Sequence, residues 1–380
     1  MAEGDPMNRP VDAPAVAGHS LDEIDTPALL LDLDAMQSNL DQVHRRIRAA
    51  GLAVRPHVKA HKCPPLARLQ LAAGAVGICC QKASEAQVFA QAGFTDILVT
   101  NQLVGMRKLE RVAAMAASGV RVGICVDHPL QVVQAATAAR TGGCSIDVLI
   151  EVDIGHGRCG VPDAGSALAL ARLIREAGSA LRFAGLHAFR GSAQHMRLPQ
   201  ERRDAVQAAV VRLREVIAVL SADGFSCGTV TGGGTGTYPH ESDSGLYTEV
   251  QPGSYVLMDL DYAGNQGDAG EPPLRHALTV LCTVISVTPG HAVLDGGLKA
   301  FAVDQGLPRM TRPGWSVKSL SDEHAVVVPG PDAVPLAVGD KVQLIPGHCD
   351  PTVNLHDWMV ACRAGRVEQI WPVAARGALF

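Results

Sequence analysis

The sequence predicts an α/β fold, a (β/α)8 barrel of the TIM type with a C-terminal all-β domain. Three observations carry this. Eight short apolar, β-branched runs recur between residues 52 and 251, and most are followed by a longer Ala/Leu/Arg stretch of helical period. Beyond Tyr262 the helical stretches stop and strand-like runs alternate with turn residues. A doubly wound sheet usually has fewer than eight strands, so the count favours a closed barrel.

Residues 1–24 begin with an Ala, Pro and Asp-rich segment that has no apolar core, which predicts a flexible tail and neither a signal peptide nor a membrane span. The run 27–33, bounded by Pro27 and Asp32, reads as a buried strand. Asp34 is expected to cap the helix that follows, whose Met36, Leu40, Val43 and Ile47 share one face. That first strand has no slot in an eight-stranded barrel and is expected to join the β domain. The predicted division is a tail at 1–24, a joining strand at 25–34, the barrel at 35–262 and the β domain at 263–380.

Barrel strands are predicted at 52–58, 76–81, 96–100, 121–127, 147–153, 183–189, 229–231 and 247–251. Helices are predicted at 84–92, 104–117, 129–140, 164–177 and 199–222. The β domain follows with runs at 277–287, 292–294, 325–328, 341–345, 358–362 and 367–371.

A composition of 47% apolar and 19% charged residues is that of an ordinary soluble protein. A net charge of -5 with no basic run argues against nucleic acid or an anionic membrane as partner, which leaves a small-molecule substrate. The ten cysteines lie inside apolar runs such as Ile78-Cys79-Cys80, which reads as reduced thiols in a cytoplasmic protein.

The barrel places chemistry at the strand C-termini, with phosphate commonly held after the last two strands. After the seventh stands Thr231-Gly232-Gly233-Gly234-Thr235-Gly236-Thr237, and after the eighth Gln251-Pro252-Gly253-Ser254-Tyr255. Small residues let backbone N–H groups approach an anion; a flexible turn is the competing reading of either run.

Lys59, in Arg55-Pro56-His57-Val58-Lys59-Ala60-His61-Lys62, follows the first barrel strand. A lysine amine can form a Schiff base with a carbonyl cofactor, although a basic surface loop accounts for the same eight residues. Arg158 follows the fifth strand and is either a hydrogen-bond donor to a pyridoxal phenolate or a surface arginine. His195, in the loop after the sixth, is a candidate general base or an ordinary solvated histidine.

In the β domain His348 and Asp350 are two residues apart and would share a side of extended chain. One imidazole and one carboxylate suit Mn²⁺ or Mg²⁺; a structural turn is the alternative.

Together, Arg55-Pro56-His57-Val58-Lys59-Ala60-His61-Lys62, Gly77-Ile78-Cys79-Cys80-Gln81-Lys82, Gly157-Arg158-Cys159-Gly160-Val161, Gly232-Gly233-Gly234-Thr235-Gly236 and His348-Cys349-Asp350-Pro351-Thr352 resemble the motifs of bacterial D-threonine aldolases. The resemblance runs from about Asp25 to the C-terminus. It implies an alanine-racemase-like fold and a lyase dependent on pyridoxal 5'-phosphate and a divalent metal. It assigns Lys59 to the Schiff base, Arg158 to the ring oxygen, and His195 to the catalytic base. Gly234, Thr235, Gly253 and Ser254, with Tyr255 beside them, fall to cofactor binding, and His348 and Asp350 to the metal. The sequence departs from the pattern at His187, where a Gln is expected, and at Phe189-Arg190, where a Tyr-His pair is expected.

The resemblance further implies cleavage of D-3-hydroxy-amino acids to glycine and an aldehyde by a homodimer, with Ser321-Asp322-Glu323-His324 near the partner's site. Related D-serine dehydratases, which eliminate water instead, carry a cysteine where this chain has Asp350. A non-catalytic carrier of pyridoxal phosphate is the alternative of another class, and it gives the pair His348 and Asp350 no role.

Overall fold

The computed structural model describes residues 12–267 and 271–380. The chain forms two compact units: residues 37–275 with 374–380, and residues 1–36 with 276–373, the latter described from residue 12.

The first unit is the barrel. Its strands are β2 (Ala53–Val54), β3 (Ile78–Cys80), β4 (Asp96–Gln102), β5 (Arg121–Val126), β6 (Ile146–Glu151), β7 (Leu181–Ala188), β8 (Thr229–Gly232) and β9 (Glu249–Val250). They pair in parallel in the order β2-β9-β8-β7-β6-β5-β4-β3. The remaining seam closes through a parallel bridge between His57 and Cys79, with the Cys79 N–H donating to the Pro56 carbonyl at 2.8 Å.

Alternation along the strands decides what faces where. Cys79, Leu98, Cys125 and Leu149 fill the barrel interior, while their neighbours Ile78, Ile97, Ile124 and Val148 pack outward beneath the helices. The register of β6 on β7 shifts at Gly185, whose φ of +142° leaves no room for a side chain: a Cβ there would lie 1.9 Å from the Thr229 carbonyl oxygen. At the strand N-termini, Arg55 bridges Asp96 at 2.6 Å and Glu249 at 2.9 Å, and Asp147 takes Arg121 at 2.9 Å and Arg182 at 2.5 Å. These ion pairs plug the end of the barrel opposite the strand C-termini.

The second unit is a nine-stranded sheet. Its strand β1 (Ala28–Asp32) runs antiparallel to β10 (Leu278–Thr288) and parallel to β16 (Trp358–Arg363). The other members are β11 (His291–Leu294), β12 (Arg309–Met310), β13 (Trp315–Leu320), β14 (Ala325–Pro329), β15 (Lys341–Ile345) and β17 (Arg366–Pro372).

Several boundaries differ from the sequence reading. Residues 12–24 are not a loose tail: Ser20 pairs with Arg366, and Ile24 is buried beside Ala28 and Val360. Residues 1–11 lie outside the described residues. The barrel unit extends to Arg275 and takes back Ala374–Phe380, which the sequence reading gave to the β domain. Phe380 explains this, since its N–H donates to Ser84 Oγ at 3.1 Å and the Arg111 guanidinium lies over its ring. The cap of the first helix is Asp32, whose Oδ1 accepts from the N–H groups of Asp34 and Ala35, both at 2.9 Å.

Among the described residues no helix is long and apolar enough to cross a membrane. No disulfide joins any of the ten cysteines.

Candidate active site

The strand C-termini of the barrel surround a cavity of about 510 Å³. After β2 the chain stays extended to His57 and then tightens into the 3₁₀ turn Val58–Ala60, which delivers Lys59 to the cavity wall. His57 lines the same wall, its Nε2 within 2.9 Å of Thr100 Oγ1 and 3.1 Å of Gln81 Oε1. Nearby Lys62 is buried and paired with Glu85 at 2.8 Å, so the two lysines of the motif have different employment.

Gly233, Gly234 and Thr235 form one edge of the cavity, and Gly253 and Ser254 another. A Cβ on Gly234 would lie 2.5 Å from Gln194 Oε1, and one on Gly253 would lie 2.9 Å from the His57 carbonyl oxygen. Both glycines are therefore set by close packing. Thr235 Oγ1 is buried without a hydrogen-bond partner, which costs free energy unless a ligand atom fills the place.

Arg158 reaches the cavity from the loop after β6 and lies 5.6 Å from the Phe189 ring centroid. Asp153 fixes this loop by accepting from the N–H groups of Gly155, His156 and Gly157 at 2.9, 3.0 and 3.1 Å. Burial works to raise the Asp153 pKa, and these donors overcome it and hold it below the usual carboxylate range.

His195 ends the 3₁₀ segment Gly191–His195. It is not among the residues lining the cavity; it stacks 5.1 Å from Tyr262, which is. Its Nδ1 lies 2.6 Å from Asp261 Oδ2, and Asp261 also takes Arg197 at 2.5 Å. Gln194 latches this segment to the glycine-rich loop after β8, accepting from the Gly236 N–H at 3.0 Å and donating to Thr237 Oγ1 at 2.8 Å.

Tyr255 is a correction. Its side chain is fully buried and does not line the cavity; the hydroxyl meets His44 Nε2 at 2.7 Å and Gln70 Nε2 at 3.1 Å. An apolar ring with two polar partners at its tip is more stable in that wall than in an open cavity.

The metal candidates lie in the other unit, and the extended geometry expected for them is not what forms. His348 is the N-cap of the helix Cys349–Val353, so Asp350 stands in that helix's first turn. His348 Nδ1 lies 2.7 Å from Asp304 Oδ2, a carboxylate the sequence reading did not select. Cys349 Sγ lies 3.3 Å from Asp350 Oδ1.

Sequence reasoning also passed over Asp261, His57 and the His187 surroundings. Asp261 sits where the domain boundary was drawn, and His57 lies in the lysine motif with no distinguishing spacing. Only folding brings His187 on β7 within 3.5 Å of Glu151 on β6.

This geometry can be set beside known proteins. Residues 31–261 match the alanine racemase N-terminal domain family, and residues 277–362 match a putative serine dehydratase domain. A D-threonine aldolase from Arthrobacter sp is 43% identical over 366 residues, which is 96% of this chain and 96% of that protein. The chain belongs to the D-threonine aldolase and D-serine dehydratase family. Within that family it is also 42% identical to a 3-hydroxy-D-aspartate aldolase of Paracoccus denitrificans (strain Pd 1222), over 96% of each chain. The crystal structure of D-threonine aldolase from Filomicrobium marinum superposes with a TM-score of 0.94 at 43% identity, covering 97% of this chain and 100% of that one. The family's barrel and β domain are those described above.

Proposed function

We propose that this chain is a carbon-carbon lyase that cleaves D-threonine and related D-3-hydroxy-amino acids to glycine and an aldehyde, using pyridoxal 5'-phosphate and a divalent metal, Mn²⁺ or Mg²⁺. The observation that carries the reading is the convergence of Lys59, Arg158, Thr235 and Ser254 on one cavity.

The residues present fit both groups. The unpartnered Thr235 hydroxyl and the closely packed Gly234 and Gly253 suit a phosphate. Lys59 suits the carbonyl and Arg158 the ring oxygen. His348 and Asp350, with Asp304 beside them, offer the nitrogen and oxygen donors that a hard divalent ion takes. When bound, the cofactor supplies an electron sink for the pair released at Cα, and the metal supplies Lewis-acid lowering of the hydroxyl pKa.

The chain's own work is positioning and proton transfer. Asp261 stands against Nδ1 of His195, the residue placed to accept the β-hydroxyl proton. Arg197 fixes Asp261 through a 2.5 Å ion pair. The Gln194 latch sets His195 relative to the loop that holds the phosphate.

One observation favours a second reading, D-serine or D-3-hydroxyaspartate dehydration: the Cys349 thiol is brought beside Asp350 although it stands one residue before it. Incubation with D-threonine and Mn²⁺ separates the readings. Glycine with acetaldehyde supports cleavage, and 2-oxobutanoate with ammonia overturns it. A non-catalytic pyridoxal phosphate carrier would give neither. The proposal includes a homodimer, supported by the resemblance in its sequence, and a cytoplasmic setting, supported by ten cysteines without a disulfide.

A further inference from the structure

The barrel interior holds a set of ligand-type side chains that the proposed reaction does not use. Cys125 from β5, Glu151 from β6 and His187 from β7 bring a thiol, a carboxylate and an imidazole together, with donor atoms all within 4.8 Å of one another. The three residues are 0%, 3% and 2% exposed. His187 Nδ1 faces Glu151 Oε2 at 3.5 Å, and that nitrogen has no hydrogen bond of ordinary geometry.

The other ring nitrogen is committed by a chain of donors. Glu249 accepts from Arg55 and from the Thr231 hydroxyl, so that hydroxyl must accept from Gln251 Nε2, at 2.8 Å. Gln251 therefore turns its Oε1 to His187 Nε2 at 3.2 Å, and Nε2 carries the proton. In the neutral ring the lone pair is then on Nδ1, directed at Cys125 and Glu151. A hydrogen-bonded second nitrogen of this kind is the usual support of a metal-binding histidine.

We propose that Cys125, Glu151 and His187 form an interior site for a Zn²⁺-class ion, distinct from the pair His348 and Asp350. Sulfur, nitrogen and oxygen donors in one set select a borderline ion over Mg²⁺ or Mn²⁺. Three protein donors leave the fourth tetrahedral position to water on the cavity side, where His187 lines the wall.

The exchange conserves charge. Without metal, thiol, imidazolium and carboxylate sum to zero; with it, thiolate, imidazole, carboxylate and a dication also sum to zero, and two protons pass to solvent. Burial alone would lower the His187 pKa, but the facing Cys125 and Glu151 groups raise it well above the usual value. Burial raises that of Cys125.

The test is zinc X-ray absorption on the holoenzyme loaded with one equivalent of Zn²⁺. The expected spectrum has one sulfur neighbour at about 2.3 Å with nitrogen and oxygen at about 2.0 to 2.1 Å. The sulfur shell should vanish in Cys125→Ser and remain in Cys349→Ser. His187→Gln, a second variant that spares the thiol, should weaken Zn²⁺ binding by more than about tenfold in a chelator competition. A wild-type spectrum without sulfur, a sulfur shell that survives Cys125→Ser, or unchanged affinity in His187→Gln would overturn the proposal.

Discussion

His195 Nδ1 lies 2.6 Å from Asp261 Oδ2, and the two residues are held by separate segments, Gly191–His195 and Leu260–Ala263. The carboxylate lies against Nδ1 of the ring, and His195 is the group proposed to take the β-hydroxyl proton. Asp261→Asn should leave the fold and cofactor content unchanged while lowering kcat for D-threonine by about 10² to 10⁴, the range of a misoriented general base. Steady-state kinetics with a cofactor absorbance check would show this. An unchanged kcat would remove His195 from the proton transfer.

Thr235→Ala separates ligand binding from folding. The hydroxyl is buried in the protein with no hydrogen-bond partner. Its loss should weaken pyridoxal phosphate binding by about tenfold or more, as expected for a hydrogen bond to a charged group. The same change should leave the cofactor-free chain as stable or up to about 1 kcal/mol more stable. Cofactor titration and thermal unfolding of the apoprotein report the two effects separately.

Glu241 gives the stability a pH slope. It is buried behind Gly233, and burial lifts its pKa from 4.5 to about 7 against a hydrogen bond from Thr237. Because the folded state binds the extra proton in that window, stability should fall as pH rises from 4.5 to 7 and then level off. The total is on the order of 3 kcal/mol. Glu241→Gln should flatten this part of a denaturant-midpoint profile; a slope unchanged in the variant would assign it elsewhere.

The barrel was legible because its strands are short continuous apolar runs separated by helical stretches, a pattern with one common closed solution. Lys59, Arg158, Thr235 and Ser254 were legible because strand C-termini can be counted off, and all four line one cavity. Side-chain direction was not legible. Tyr255 follows Ser254 directly yet points into the wall toward His44, and Asp350 stands in the first turn of a helix. The strand Trp315–Leu320 was missed because its alternation of Trp315 and Val317 with exposed Ser316 and Lys318 is broken by a register shift between Val317 and Ser319. Partners from distant segments, Asp261 for His195 and Glu151 for His187, exist only after the strands close.

Lys59, on the cavity wall, is the residue proposed to carry the cofactor. Borohydride reduction of the holoenzyme followed by peptide mapping tests this directly. The expected result is a single pyridoxyl label on Lys59 and no label in Lys59→Ala. A label on Lys62 or Lys82, or one that persists in Lys59→Ala, would contradict it.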